Sequence, residues 1–479
     1  MDDFFGHIQT LTGITKYSSS EVITPIKVVN DMVNLLPAEV FNSKTRFLDP
    51  AVKSGRFLVE IYNRLMKSPE ITKDFPNESE RSRYILHNQL YGFATSPVAA
   101  TITRKQLYGD AAIQGNIVYE SGYISKIKNN PSIIKEITKE NFGDTMKFDV
   151  VIGNPPYQYN SSSIYHQFID GALEIYNSYI CMITKNNWLT SDTLKDTRNR
   201  MIDAGITDII NYPLAYEVFD GASPSVSIFK IGKTGCNTTK YREIRGGDLV
   251  SSYEQNLKGM PVILGDRLEQ SIMLKIRVHI AEDNFGSRTY PDECFRINSN
   301  GTVGRGENTY KLQSTDHRTE DNNIAVVYMN SSKKPYCEYI SYEQIPSRAE
   351  IAEDYKIVCG GKLLKDDSVI RNIALLKPNS VCSKSWGLLY TCKTREEAVK
   401  VAKYIKSRLF RFLLRAMLGD GMNALSSYRF SLIPLPDTSE NSDIDWSQSI
   451  DNIDEQLFNK YNLSEEEIAY IKQTIKPIE

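Results

Sequence analysis

The sequence predicts an α/β protein in which a mostly parallel β-sheet with flanking helices precedes a second domain of mixed α and β structure. Short apolar runs such as residues 148–152 have the composition of strands that are buried on both faces. Segments with apolar residues at helical spacing lie between these runs. The third observation is length, because 479 residues exceed what one hydrophobic core normally organises. We therefore expect at least two domains.

Composition narrows the class of protein. The chain is 41% hydrophobic and 24% charged, which is typical of a soluble globular protein. A formal net charge of −2 means that any nucleic-acid surface must be a local basic patch. Seven scattered cysteines without a Cys-x-x-Cys pair, and five scattered histidines, predict reduced thiols and no metal site. With no signal peptide or membrane span expected, we predict a cytoplasmic protein.

A helix is predicted to begin after Thr24. Residues 1–16 form a polar and aromatic lead-in that is too short for a domain. Thr24 suits the N-cap and Pro25 the first helical position, and apolar residues follow at helical spacing as far as Leu36. The free amide protons of such a helix can bind an anion. The alternative is a capped amphipathic helix without a ligand.

Residues 46–58 predict a strand, a loop of small residues and the start of a helix. The loop follows Asp49 and Pro50 and contains Lys53 among the small residues. Small residues allow the backbone to approach a ligand closely. Lys53 is compatible with this only if its side chain points outward. A second strand within residues 90–97 is then predicted, followed by a helix through Leu107.

Residues 154–157, Asn-Pro-Pro-Tyr, directly follow the apolar run 148–152. The prolines cannot donate to a ladder, so they form a rigid corner at the carboxyl end of a strand, where α/β sheets bind ligands. Asn154 Oδ1 and the Pro155 carbonyl can accept the two protons of an exocyclic amine, and Tyr157 can stack on its ring. The alternative is a strand followed by a Pro-Pro turn. A polar loop, residues 158–163, is expected next.

These motifs resemble the S-adenosylmethionine-dependent amino-methyltransferases, above all the adenine-N6 DNA methyltransferases. Residues 153–157 match their catalytic motif, and residues 49–58 match their cofactor loop, with Lys53 in place of the first glycine. Thr24-Pro25 matches the element that contacts the methionine carboxylate in that family. This order of elements, with a long C-terminal extension, resembles the gamma-class enzymes of the restriction-modification methylase type.

The resemblance covers the chain to about residue 233 and implies a Rossmann-like class I methyltransferase domain with a seven-stranded sheet. It implies S-adenosylmethionine as cofactor. Catalysis would fall to Asn154, Pro155, Pro156 and Tyr157, with Tyr157 and Phe219 stacking on the target base. The family's ribose-binding acid is missing near Ala94, and no aspartate stands where the family reads the cofactor's adenine. The implied cofactor residues are Thr24, Pro25, Asp49, Pro50, Ala51, Ser54, Gly55, Phe57, Thr95 and Ser96.

Four segments are predicted: the lead-in 1–16, the catalytic domain 17–233, a DNA target-recognition domain 234–436 and an acidic helical tail 437–479. Residues 395–418 predict one long amphipathic helix. Its basic stripe could be an ordinary solvated face or could contact DNA phosphates. The stripe consists of Lys400, Lys403, Arg411 and Arg415.

The predicted function is site-specific adenine-N6 methylation of double-stranded DNA, on an adenine flipped out of the duplex. The protein would be the modification component of a restriction-modification or phage-defence system, with a cognate restriction endonuclease subunit as a further partner. An RNA or release-factor amino-methyltransferase would share residues 154–157 without needing the extension. A non-catalytic DNA-binding subunit would explain Lys53 and Ala94. A bifunctional restriction enzyme would need a nuclease domain that the sequence does not reveal.

Overall fold

The computed structural model describes residues 23–214, 216, 218, 219, 225–232, 238–290, 294–330, 332, 334–418 and 422–478. The chain divides into two compact units, and the division falls between Gly265 and Asp266. The predicted lead-in, residues 1–16, lies outside the described residues. Across the described ranges, no helix combines the length and apolar character that a bilayer crossing requires.

The first unit contains the predicted sheet. Its strands are β1 (Phe47–Val52), β2 (Leu90–Ala94), β3 (Ile117–Val118), β4 (Phe148–Gly153), β5 (Gln158–Tyr159), β6 (Ser162–Ser163), β7 (Tyr176–Lys185), β8 (Ile206–Tyr212), β9 (Val226–Ile231), β10 (Thr239–Arg245) and β11 (Asp248–Gln255). Within the described residues nine of them form one sheet in the order β11-β10-β8-β9-β7-β4-β1-β2-β3. From β3 to β8 only β9 runs antiparallel to its neighbours. The mostly parallel α/β sheet is therefore confirmed.

Helices cover both faces of this sheet. They are α1 (Ile26–Asn34), α2 (Arg56–Lys67), α3 (Pro69–Asp74), α4 (Glu78–Asn88), α5 (Pro97–Tyr108), α6 (Tyr123–Asn129), α7 (Ile133–Phe142), α8 (Tyr165–Ile175) and α9 (Lys195–Asp203). Alternate strand residues point to opposite faces. Phe47 accordingly packs with Leu58 of α2 in one buried cluster, and Leu48 packs with Phe168 of α8 in another.

The predicted boundary at residue 233 and the predicted count of seven strands are wrong. β10 pairs in parallel with β8, and β11 pairs with β10, so both strands extend the catalytic sheet. Tyr241 of β10 and Tyr253 of β11 stack with ring centroids 4.9 Å apart and belong to the same buried cluster as Phe168. This shared core places residues 239–255 in the first unit.

The second unit contains small sheets and a group of helices. The strands are β12 (Thr302–Val303), β13 (Tyr310–Lys311), β14 (Ile324–Met329), β15 (Pro335–Ile340), β16 (Tyr355–Gly360), β17 (Lys362–Leu364), β18 (Ala374–Leu376), β19 (Ser380–Cys382), β20 (Trp386–Cys392) and β21 (Met422–Ala424). The sheets in the described part of this unit are β12-β13, β15-β14-β19, β18-β16-β20 and β17-β21. The helices are α10 (Arg267–Ile276), α11 (Arg395–Lys406), α12 (Arg408–Ala416), α13 (Ser427–Ser431), α14 (Ile450–Lys460) and α15 (Glu465–Thr474).

The single long helix predicted at 395–418 is instead two helices that meet at Ser407. The Ser407 hydroxyl accepts a hydrogen bond from the Phe410 amide at 3.2 Å and so caps α12. The predicted tail is helical, and its helices α14 and α15 pack on these two helices. The Asp454 carboxylate accepts bonds from the Arg408 and Leu409 amides, and Phe412 packs edge-on against Tyr470.

The basic stripe of this helical region does not form a free phosphate-binding face, so that prediction is wrong. Arg411 is 0% exposed, and its guanidinium donates to the carbonyls of Asp367, Lys406 and Lys476. Lys403 donates to the carbonyls of residues 446–448. Lys400 donates to the Thr438 carbonyl at 2.9 Å, and Arg415 lies 3.8 Å from Glu269. The stripe therefore fastens the C-terminal residues to the unit.

We expect Arg411→Ala to lower the free energy of unfolding by about 3 kcal/mol, since it leaves buried carbonyl groups without their charged donor. Guanidinium denaturation of the full chain, followed by circular dichroism, measures this. Arg318→Ala, at an exposed arginine of the same unit, is the control and should change stability by less than about 0.5 kcal/mol. Loss of DNA affinity at unchanged stability would contradict this structural role.

Candidate active site

The loop after β1 has a backbone shape that only small residues permit. Gly55 adopts the left-handed conformation with φ of 72°, and an added Cβ would lie 2.9 Å from Thr103 Cγ2. A side chain at this position would therefore be strained by both backbone and packing. Helix α2 begins at the next residue, Arg56, so its first amide groups lie beside the loop.

A narrow cleft, open to solvent, lies at this loop. It brings together three sequence elements that are far apart in the chain: the segment before α1, the loop after β1 and the end of β4. Pro25, Pro50, Thr95 and Ser96 are not among the described residues that line it. The lining residues are Thr24, Asp49, Ala51, Lys53, Ser54, Gly55, Arg56, Phe57 and Asn154.

The parallel pairing of β1 and β4 explains this convergence. Leu48 lies opposite Val151, so the carboxyl ends of both strands reach the same edge of the sheet. The approach is close at Gly153, where an added Cβ would lie 2.6 Å from Asp49 Oδ1. Glycine at this position thus allows Asn154 to stand next to the Asp49 carboxylate.

Asn154 is 3% exposed, and its side-chain amide has a defined orientation. The Nδ2 atom donates to Thr24 Oγ1 at 3.0 Å. The Oδ1 atom is buried and has no hydrogen-bond partner among the described residues. An unpaired buried amide oxygen costs about 1–3 kcal/mol, so its presence in a cleft points to an acceptor reserved for a ligand.

Thr24 does not act as the predicted N-cap. Helix α1 starts at Ile26 with Pro25 in the N-cap position, and within the described chain no side chain caps it. The Thr24 hydroxyl faces Asn154 instead, while the Thr24 carbonyl accepts a bond from Arg56 Nη1 at 2.8 Å. Thr24 therefore links the loop after β1 to the catalytic motif.

Tyr157 presents its ring and makes no polar side-chain contact with the described residues. Its ring packs against both buried clusters of the sheet. The hydroxyl is buried, and nothing in the described part of the chain pairs with it, which raises its pKa well above the ordinary value. Phe219, 3% exposed, belongs to one of the clusters that contact Tyr157. Its predicted role as a second wall for the base remains a prediction.

The segment after Tyr157 is a tight hairpin rather than the expected loop. β5 and β6 pair across a two-residue turn, Asn160-Ser161. Both residues have positive φ, 47° and 63°, which is the backbone of a type I′ turn. The hairpin gives a short, ordered boundary on this side of the motif.

Asp49 has a strongly perturbed pKa. Its Oδ1 accepts a bond from the Ala51 amide at 3.0 Å. Burial nevertheless raises the pKa of the carboxyl to about 7, opposed by that amide and by the charge of Lys53. Lys53 is only 7% exposed, so the condition that its side chain points outward is not met. Its side chain lines the cleft and lies close enough to Asp49 to lower the pKa of that carboxyl.

The hydroxyls predicted to replace the ribose-binding acid already make local bonds. Thr95 Oγ1 donates to the Val52 carbonyl at 3.3 Å, tying β2 to β1. Ser96 Oγ accepts a bond from the Ala99 amide at 3.2 Å and caps α5. Their contact with a cofactor stays a prediction.

Two residues at the carboxyl edge of this sheet were missed by sequence reasoning. Glu120 follows the short strand β3 and pairs with Lys126, which places a carboxylate beyond the carboxyl end of a strand. A two-residue strand gives too little periodicity to be recognised. The Tyr123 hydroxyl donates to the Pro50 carbonyl at 2.7 Å and so supports the loop after β1.

Comparison with known proteins agrees with this geometry. Residues 88–219, which include strand β4 and its Asn-Pro-Pro-Tyr corner, match the family model described as Eco57I restriction-modification methylase. This region is similar to the restriction-modification methylases. A protein of Mycoplasma pneumoniae described as an uncharacterized adenine-specific methylase is 28% identical, over 37% of this chain and 58% of that protein. The chain thus spans less than two thirds of this curated relative.

Solved structures show the same fold at low identity. The type IIL restriction-modification enzyme MmeI, solved in complex with DNA, is 11% identical to this chain with a TM-score of 0.51. The match covers 99% of this chain and 76% of the MmeI chain. A nuclease-deletion mutant of the type ISP enzyme LlaGI, solved with a DNA substrate mimic, is 12% identical to this chain with a TM-score of 0.50. The match covers 86% of this chain and 53% of the LlaGI chain. With its mostly parallel sheet, the first unit therefore has a Rossmann-like α/β fold.

No group of three or more His, Cys, Asp or Glu side chains within the described ranges is arranged to hold a metal ion.

Proposed function

We propose that the protein is a site-specific DNA methyltransferase that transfers a methyl group from S-adenosylmethionine to the N6 amine of adenine. The observation that carries this proposal is the buried Asn154 Oδ1, which is held in one orientation by Thr24 and has no partner in the described structure. It lies in the same cleft as the loop after β1. The match of residues 88–219 to restriction-modification methylases supports the same reaction.

The residues of the corner are suited to activating an aromatic amine. The adenine amine is a poor nucleophile because its lone pair is conjugated with the ring. Asn154 Oδ1 and the Pro155 carbonyl would accept its two protons, which favours a pyramidal nitrogen with a localised lone pair. Tyr157 would hold the ring by stacking, so that the lone pair is oriented for transfer.

The cleft residues fit S-adenosylmethionine, which supplies an electrophilic methyl group on a sulfonium. The left-handed Gly55 and the close approach at Gly153 leave room for backbone to contact a ligand. The Asp49 carboxylate would attract the cationic portion of the cofactor, and the first amides of α2 would donate to its carboxylate. Glu120, which follows β3, is the candidate residue for binding polar groups of the cofactor.

Double-stranded DNA is the proposed substrate. A base inside a duplex must be flipped out before its amine can reach Asn154, at a cost of a few kcal/mol. Contacts between DNA and the surface of the second unit would offset that cost. A cognate restriction endonuclease subunit is proposed as a partner, by analogy with the restriction-modification enzymes that share the fold.

The non-catalytic alternative is favoured by one observation, the buried Lys53 in the cleft. Incubation of the protein with methyl-labelled S-adenosylmethionine and unmethylated genomic DNA decides between the two. The proposal expects label in N6-methyladenine within one short sequence. Binding to DNA without label transfer would support the non-catalytic subunit, whereas label in RNA or protein would identify a different substrate.

Cofactor binding should release a proton below about pH 7. The pKa of Asp49 is about 7 in the free protein, and a nearby sulfonium or ammonium lowers it because the charged carboxylate is stabilised. Affinity should therefore rise with pH up to about 7 and level off above it. Titration calorimetry at pH 6.5 in two buffers of different ionisation enthalpy measures the proton release.

Asp49→Asn is the matched control for this pH dependence, because the amide oxygen can still accept the bond from Ala51. It should bind the cofactor more weakly, with no change in affinity across pH 6–8. Proton uptake by the natural protein, or an unchanged pH dependence in the variant, would contradict the role of Asp49.

A further inference from the structure

The second unit contains a solvent-open cleft whose lining suits a polyanionic partner with hydrogen-bond acceptors. It has a volume of about 460 Å³ and lies where the turn after Arg296 meets the β12–β13 hairpin. Among the described residues that line it, none is a carboxylate. The lining residues used below are Arg296, Asn298, Gly304, Arg305 and Tyr310.

The frame of this cleft is rigid. Ile297 forms an isolated bridge with Val303, and the Asn298 amide donates to the Thr302 carbonyl at 2.8 Å. Phe295 and Ile297 are each 1% exposed and belong to the core of the unit. Since the residues on both sides of Arg296 are anchored in this core, Arg296 projects from a fixed base.

Arg296 has an unusual backbone conformation. Its φ of 56° is in the left-handed region, which long side chains rarely adopt. Within the described ranges the guanidinium makes no hydrogen bond, ion pair or ring contact, and the residue is exposed. Such a costly conformation at a side chain without internal partners indicates a function for that side chain.

The backbone of the opposite wall of the cleft is also constrained. Gly304 has φ of 95°, and an added Cβ would lie 2.2 Å from the Asn308 carbonyl oxygen. Asn298 Nδ2 donates to the Gly304 carbonyl at 3.2 Å and to Thr302 Oγ1 at 2.9 Å. These bonds fix the turn that carries the exposed Arg305. Tyr310, 56% exposed, completes the wall.

We propose that this cleft reads guanine in the major groove of the DNA, with Arg296 as the residue that contacts the base edge. Guanine offers two adjacent acceptors, O6 and N7, that match the two parallel donors of a guanidinium. A phosphate can be bound by any flexible cation, whereas a base contact needs a pair of donors carried on an anchored backbone, as at Arg296. Arg305 and Tyr310 would contact the same groove. This inference rests on the proposed function.

The test begins with the natural protein, whose methylated sequence is determined by mapping N6-methyladenine in treated genomic DNA. Arg296→Lys keeps the charge but loses the paired donors, and Arg296→Gly relieves the strained backbone. Both should bind the cognate duplex about 10- to 100-fold more weakly, as expected for loss of one paired base contact. Affinity for random duplex and its salt dependence should not change for Arg296→Lys.

The methylated sequence should also relax at one G·C position in both variants. Arg318→Ala, at an exposed arginine of the same unit that does not line the cleft, is the matched control and should keep affinity and sequence. Unchanged cofactor binding and circular dichroism show that the variants are folded.

Two results would overturn the inference. Equal weakening of cognate and random duplexes by Arg296→Gly, with a flatter salt dependence, would assign Arg296 to a phosphate. Unchanged DNA binding and sequence would remove the cleft from the DNA interface and favour a protein partner. Failure of the proposed function is distinguishable, because the natural protein itself would then transfer no methyl group to DNA while still binding S-adenosylmethionine.

Discussion

Asn154→Ala is expected to reduce methyl transfer by at least about 10²–10³-fold while leaving the affinity for S-adenosylmethionine nearly unchanged. The substitution removes the buried Oδ1 acceptor, which we assign to the target amine and not to the cofactor. Single-turnover transfer of label to the cognate duplex measures the rate, and calorimetry measures cofactor binding. Transfer at the natural rate would refute the assignment.

Thr24→Val tests whether the orientation of the Asn154 amide matters for the reaction. It removes the acceptor that orients Asn154 Nδ2 but keeps the shape of the side chain. We expect a smaller loss of rate than for Asn154→Ala, because the amide is still present but no longer fixed. Thr24→Ser keeps the hydroxyl and should retain most of the activity. Equal rates for Thr24→Val and the natural protein would mean that this bond does not position Asn154.

The sequence predicted those features that depend on short stretches of chain. The apolar run before Asn154 determines a buried strand, and the two prolines end it, so the corner followed directly from local chemistry. The loop at Gly55 was predictable for the same reason, since only small residues allow its backbone. Their meeting in one cleft followed from the parallel order of β1 and β4.

Features that depend on distant partners were not predictable from a single helix or loop. Arg411 fits a polar helical face by periodicity, yet its partners come from residues 367 and 476, far away in the chain. Lys53 suited the loop only with an outward side chain, but the carboxylate of Asp49 beside it is a more favourable neighbour for a buried cation. Helical spacing reports which side chains share a face and not what covers that face.

The same limit explains the boundary between the units. Strands β10 and β11 contain polar and charged residues in alternation, so the sequence did not distinguish them from strands of the next domain. Their assignment depends on Tyr241 and Tyr253, which stack on each other within the core of the catalytic sheet. This contact between two rings exists only once the strands have paired, so it leaves no periodic pattern in the sequence.

Tyr157→Phe is expected to retain nearly full activity, whereas Tyr157→Ala should lose most of it. The hydroxyl is buried and has no partner in the residues that the structure describes, so its removal deletes no hydrogen bond and should leave stability unchanged or slightly higher. Loss of the ring removes base stacking worth about 1–3 kcal/mol, which corresponds to roughly 5- to 150-fold in binding of the flipped base.

Fluorescence of 2-aminopurine at the target position separates the two effects, because a flipped and stacked base differs in emission from one in the duplex. Tyr157→Phe should give the natural emission change, and Tyr157→Ala should give a change without the quenching by the stacked ring. A Phe variant as inactive as the Ala variant would show that the hydroxyl acts in the reaction. The acceptor pair at Asn154 and Pro155 would then be an incomplete account of how the amine is activated.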